Sequence, residues 1–233
     1  MSVHDGLVVV LPEGFDRRRV PAILEENRAW IERTRRRLEG RRMPRSEPCR
    51  LPSSIVLAAT GETWQVEYRA GDPSTDGVRA RGTGDSRLVL RGRVDDPEAC
   101  REALNRWLSR RARVSLIPRL ELLAGEHGLW FERASIRHQR SRWGSCSRRR
   151  TISLNARLLF FPPELVDYVL LHELCHTVEL NHSLRFWRVL EEHCPGSAAF
   201  RRRLRSAASY IPDWLDAPLA GPPVPSAIPW VDL

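Results

Sequence analysis

Lysine is absent from this 233-residue chain, so all 38 of its Lys-or-Arg positions are arginine. Such one-sided usage points to coding bias. It tempers the first reading of a net charge of +9 and a pI near 10.4, which by themselves would raise nucleic acid, an anionic membrane or phosphorylated substrates as partners. The arginine runs at Arg17 to Arg19, Arg35 to Arg37, Arg148 to Arg150 and Arg201 to Arg203 are consecutive, so on a helix or strand they fan outward. They read as solvated surface, with a nucleic-acid patch the less favoured alternative.

Long apolar runs are missing too. Nothing approaches the roughly 18 residues of a membrane span, and Val8 to Leu11 lacks the length and basic start of a signal peptide. The expected location is the cytoplasm, without a membrane partner. Five cysteines (Cys49, Cys100, Cys146, Cys175 and Cys194) are an odd number, widely scattered and without a C-x-x-C pair, which suits reduced thiols. What is present in quantity is apolar surface: hydrophobic residues make up 42% of the chain, enough for one sizeable core or two small domains sharing an interface.

Along the chain, Leu7 to Leu11 reads as a strand, and Val20, Ile23, Leu24, Trp30, Ile31 and Leu38 recur at the spacing of an amphipathic helix ending near Gly40. Ile55 to Ala59, Trp64 to Tyr68 and Arg87 to Arg91 read as strands, with turn chemistry through Gly71 to Asp85. Asp96-Pro97 opens a second helix, which Pro118 is expected to kink or restart before Gly125 and Gly128 stop it. A hairpin follows, from a strand at Ser135 to Gln139 through a basic turn at Ser147 to Arg150 into Thr151 to Asn155. A third helix starts after Phe161-Pro162-Pro163, and a fourth has Ser183 as N-cap. From Pro212 on, proline density predicts an extended tail. The fold class is therefore α+β, divided into a mostly-β region with one helix at 1–95, a domain at 96–211 and the tail at 212–233.

The third helix ends in Leu171-His172-Glu173-Leu174-Cys175-His176-Thr177-Val178-Glu179-Leu180-Asn181-His182. His172 and His176 are four apart, so they share a helix face and can ligate one tetrahedral Zn²⁺. Glu173 reaches a water at the open position and can take its proton. Cys175 points about 100° away from His176 and reads as a buried apolar residue. A third ligand is required. Glu179, Glu191, Glu192 and His193 are candidates, but His182 is the strongest. It lies six residues after His176, with Asn181 able to make the sharp left-handed turn that ends the helix. The glycine of H-E-x-x-H-x-x-G-x-x-H enzymes is replaced here by Glu179. Their downstream methionine turn is excluded as well, because Met1 and Met43 both lie upstream.

Arg142-Trp143-Gly144-Ser145-Cys146, Ile152-Ser153-Leu154-Asn155, His172-Glu173-Leu174-Cys175-His176, Asn181-His182-Ser183 and Phe186-Trp187, in this order, resemble the YgjP-like family of zinc metallopeptidases, relatives of the SprT group. The resemblance implies a minimal zincin-like metallopeptidase domain. Carried over, it makes His172, His176 and His182 the zinc ligands and Glu173 the general base, and has the R-W-G-S-C block support the site.

The reading that follows is hydrolysis of a protein or peptide substrate, with Arg142, His138 or Tyr168 stabilising the oxyanion and Thr151 to Asn155 offering an edge to an extended chain. Two alternatives remain. One is a nucleotide pyrophosphohydrolase, its pocket rimmed by Arg140, Arg142 and Arg148 to Arg150. The other is a DNA-associated module with structural zinc, in which Glu173 would have no purpose.

Overall fold

The computed structural model describes residues 15–39, 50–71, 77–139 and 142–216, with side chains for all of these except 34–39. The chain divides into two compact units, Met1–Pro48 and Cys49–Leu233, so the expected boundary at 95/96 falls inside the second. In the first unit the expected single helix is two: α1 (Val20–Glu26) and α2 (Arg28–Glu39). They meet at Asn27, whose φ of −98° and ψ of 7° leave the helical region and whose Nδ2 donates to the Ile23 carbonyl at 2.8 Å. The expected strand at Leu7 to Leu11 lies outside the described residues.

The second unit opens with a sheet of four strands, β1 (Ser54–Leu57), β2 (Glu62–Ala70), β3 (Val78–Gly82) and β4 (Arg87–Gly92), in the order β1-β2-β4-β3. Alternation sends Ile55, Leu57, Val66, Val78, Ala80, Leu88 and Leu90 to one face and mostly polar residues, with Val56 and Val89, to the other. β3 lies where the glycines and aspartates of Gly71 to Asp85 predict turns, and its alternation is short, with only Val78 and Ala80 turned inward. β4 inserts between its predecessors, parallel to β2 and antiparallel to β3.

The apolar face packs on α3 (Pro97–Glu126), capped by Asp96, which accepts the Ala99 N–H at 3.0 Å. Trp107 meets Trp64 edge to face with centroids 5.4 Å apart, worth about 1 kcal/mol beyond its buried area. Of the two outcomes expected at Pro118, the restart does not occur: α3 runs unbroken from Pro97 to Glu126. Proline there deprives the Val114 carbonyl of its intrahelical donor, and Val114, 61% exposed, lies on the side open to solvent. Buried Leu116, Leu120 and Leu123 hold the helix on both sides of the proline.

A second sheet repeats the insertion: β5 (Arg133–Arg137), β6 (Gly144–Cys146) and β7 (Thr151–Asn155) are ordered β5-β7-β6. The expected hairpin between the first and last of these is a parallel pair, and the hairpin joins β6 to β7. β7 is therefore central and cannot offer an edge. Asn155 closes the gap by donating Nδ2 to the carbonyls of Gln139 and Arg142 at 2.6 and 2.8 Å.

Next come α4 (Pro163–Cys175), α5 (Leu184–His193) and α6 (Ser197–Leu204). α4 is apolar nearly all round, from Leu165 to Cys175, as befits a central helix. The expected tail does not begin at Pro212. Trp214 and Leu215 are buried, Trp214 lies against Phe160, and Asp216 takes both Arg157 guanidinium nitrogens at 2.6 and 2.7 Å. Two large apolar side chains outweigh the prolines around them. The fold is α+β, and no helix among the described residues is long and apolar enough to cross a membrane.

Candidate metal centre and cleft

α4 carries His172 and His176 to its C-terminal end and stops at Cys175, earlier than the expected end at Asn181. The reversal needs no left-handed asparagine: among described non-glycine residues only Ser86 and Arg150 have positive φ. Instead the N–H groups of Val178 and Glu179 both donate to the Cys175 carbonyl at 3.0 Å, and the Ser183 N–H turns back to the Asn181 carbonyl at 2.7 Å. Ser183 then caps α5, accepting the Phe186 N–H at 3.3 Å. Between these two anchors His182 is swung towards the helix that holds the other two histidines.

The outcome is a set of three converging imidazoles. His182 Nε2 lies 3.0 Å from His172 Nε2 and 3.2 Å from His176 Nε2. Three nitrogens held about 2.0–2.1 Å from one tetrahedral ion stand about 3.3 Å apart, so the donor set fits a divalent transition metal. His176 Nδ1 lies 3.0 Å from the Glu179 carbonyl, a contact that puts its proton on Nδ1 and leaves the Nε2 lone pair free. Burial lowers the pKa of His176, and lowers that of His172 to about 3 with help from its two histidine neighbours, so both stay neutral as ligands must. Phe186 stacks under His176 at 4.4 Å, and Trp187 stacks on His182 at 5.5 Å while donating Nε1–H to its carbonyl.

The other candidate ligands are engaged elsewhere. Glu191 accepts from the N–H groups of Gly196 and Ser197 at the start of α6, Glu192 is exposed, and His193 Nδ1 pairs with His127 Nδ1 at 3.3 Å. Glu179 touches His176 through its backbone only.

Glu173 is 5% exposed, and its Oε2 finds no hydrogen-bond partner among the described residues. Burial pushes its carboxyl up to about 8, against the pull of Arg142. Across from it runs β6. A Cβ built on Gly144 would fall 2.6 Å from both Cγ and Oε1 of Glu173, so only glycine leaves the carboxylate where it is. Gly144→Ala should therefore displace the Glu173 carboxylate, and lower by about a hundredfold the kcat of any hydrolysis in which that carboxylate takes part, with KM and metal content little changed. A variant with wild-type kcat would show that the contact has no functional consequence.

The trio and Glu173 open into a cleft of about 580 Å³, lined also by β6, Tyr168, Leu180, Trp187 and Arg201. A model of the family described as "YgjP-like, metallopeptidase domain" matches residues 1–207. The chain belongs to the YgjP-like metallopeptidase family. Among solved structures, it is similar to the metallopeptidase zymogen abylysin of Pyrococcus abyssi, at 26% identity over 40% of this chain and 95% of that one, with a TM-score of 0.37. It is also similar to the zymogen jannalysin of Methanocaldococcus jannaschii, at 21% identity over 41% and 97%, with a TM-score of 0.35. No curated protein matches.

Of the three expected oxyanion donors, this YgjP-like chain brings two to the cleft. Arg142 and Tyr168 line it; His138 does not, because its Nε2 is held by Ser109 Oγ at 2.6 Å and the Asn105 carbonyl at 3.0 Å on α3. Arg148 to Arg150 are not at the rim, and Arg150 sits over Trp130 at 5.0 Å. Arg140 lies outside the described residues. Sequence reasoning missed Arg201, which lies 4.3 Å from the centre of the Trp187 ring. α6, which carries it, followed Pro195-Gly196 and read as solvated surface. The Arg-Arg-Arg run at 201–203 hid one position with a packed partner.

Proposed function

We propose that this protein is a zinc-dependent peptidase in which His172, His176 and His182 hold the metal and Glu173 is the general base. The observation that carries the reading is the convergence of three histidine Nε2 atoms beside a buried carboxylate at the floor of an open cleft. A zinc ion bound there would supply Lewis acidity and a water of lowered pKa. Glu173 would take the proton of the attacking water and return it to the departing amine; burial favours the protonated form that it must hold between the two steps. Gly144 fixes where the carboxylate stands. Tyr168 and Arg142 line the cleft, which supports a role for them as donors to the developing oxyanion, an interaction worth about 3 kcal/mol.

The substrate enters as an extended chain. β6 is an edge strand and lines the cleft, so it can pair with a peptide laid across the metal. Val169, Leu180 and Leu204 offer apolar contacts for its side chains. Cys100, Cys146, Cys175 and Cys194 are free thiols, which supports a reducing, cytoplasmic setting.

The test is incubation of zinc-loaded protein with casein and, separately, with nucleoside triphosphates. Casein should be cut, a chelator should stop the cleavage, and added Zn²⁺ should restore it. Release of pyrophosphate without any cleavage of casein would replace the peptidase reading by the nucleotide one.

A further inference from the structure

The four-stranded sheet has one face on α3 and the other in solvent, and the solvent face is where charge converges. Alternation puts Arg69 of β2, Arg79 and Arg81 of β3, and Arg91 of β4 on that side. The register then aligns them: Arg69 stands opposite Arg91, and Arg91 opposite Arg79, a row of three arginines across three adjacent strands. With strands about 4.8 Å apart, the row spans about 10 Å. Arg81 is two residues along from Arg79. These residues border a depression of about 590 Å³.

Like charges directly opposite one another destabilise a sheet, so the arrangement costs the fold something unless an anion relieves it. Glu67 pairs with Arg69 at 2.6 Å and reaches Arg87 at 3.7 Å. Among the described residues, no carboxylate pairs with Arg79, Arg81 or Arg91. Round the β3 edge, Arg106 and Arg110 bring two more guanidiniums, each 2.8 Å from a β3 carbonyl. The consecutive arginine runs that stand out in the sequence play no part here; the three arginines of the row stand 10 to 22 positions apart and meet only through the register.

We propose that this face binds the phosphodiester backbone of duplex nucleic acid without reading its bases. A patch about 10 Å across exceeds any single small anion and suits a run of phosphates. The described outward residues around it include Gln65, Thr63 and Val89 and no aromatic ring, so among them unpaired bases would find nothing to stack on; a duplex, with its phosphates outside, needs nothing of the kind. Each arginine that meets a phosphate contributes about 0.9 to the slope of log affinity against log salt.

The test is fluorescence anisotropy of a labelled random-sequence duplex of about 20 bp, titrated with the full chain between about 50 and 200 mM salt. Wild type should bind with a steep salt slope. R79T/R81T/R91T should lose about 2.7 of that slope and bind at least about tenfold more weakly at the lowest salt, while casein cleavage is unchanged. Arg91→Thr alone, at the centre of the row, should lose about 0.9 and guards against misfolding of the triple variant. R17T/R18T/R19T removes equal charge elsewhere and should keep the wild-type slope. The proposal is overturned by a wild-type slope in the triple variant, by an equal loss in the charge-matched control, or by wild-type protein that binds anionic vesicles or inorganic polyphosphate but not the duplex.

Discussion

Glu173→Gln is expected to leave one equivalent of metal bound and to lower kcat/KM on casein by at least about a thousandfold. The amide has the shape of the carboxylate and fits the same space against Gly144, where an added methyl would not. It cannot accept a proton. None of the three converging Nε2 atoms belongs to residue 173, so the metal should stay. With its carboxyl pushed up to about 8 by burial, Glu173 is already largely uncharged at neutral pH in the metal-free fold, so the neutral amide should leave stability nearly unchanged. Metal content by mass spectrometry and initial rates on casein check both halves. A rate within tenfold of wild type would take Glu173 out of the proton transfer. Comparison with Gly144→Ala separates two properties of one group: glutamine keeps the position and loses the basicity, whereas the alanine variant keeps the basicity and loses the position.

The features legible in the sequence are those set by local periodicity. His172 and His176 share a face because four residues make about one turn, and Ser183 announces α5 because a hydroxyl before an apolar run caps a helix. Features set by pairing between distant segments were not legible. β4 and β7 each insert between earlier strands, and nothing local in Leu88-Val89-Leu90 or Ile152-Ser153-Leu154 says that a parallel neighbour waits on one side. The same holds for Gly144, whose role depends on a glutamate 29 positions away. Two errors came from letting composition outvote individual residues. Proline density hid Trp214 and Leu215, and the glycines and aspartates of 71–85 hid the Val78-Arg79-Ala80-Arg81 alternation. Pro118 shows the opposite case, a correct local rule overridden by packing on both sides.

His182→Ala should lower metal affinity by on the order of a thousandfold, well beyond the 10–100-fold typical of groups that only support a ligand. Two imidazoles one turn apart on a helix remain, and they cannot surround an ion by themselves. Among the described residues, the best-placed alternatives are engaged elsewhere. Glu191 is tied to the start of α6 through Gly196 and Ser197, and His193 is paired with His127. Recruiting either would undo a cap or a histidine pair. The substitution itself should cost little stability, because His182 is exposed and the loop is anchored by backbone bonds at Cys175 and Asn181. The thermal midpoint of the metal-free variant should therefore match that of metal-free wild type. Zinc at one fixed concentration should raise the midpoint of wild type well above that of the variant, the gap reflecting about 4 kcal/mol for a thousandfold loss of affinity, since an ion stabilises only the state that binds it. This readout does not depend on turnover. A variant that still carried one tightly held equivalent of zinc would show that the third ligand lies elsewhere, and that the 3.0 and 3.2 Å approaches of His182 are packing contacts. Loss of the thermal shift together with loss of metal would place the third ligand on the loop. The position of Trp187 would then follow: by stacking on His182 and bonding its carbonyl, it holds in place the one ligand that no helix supports.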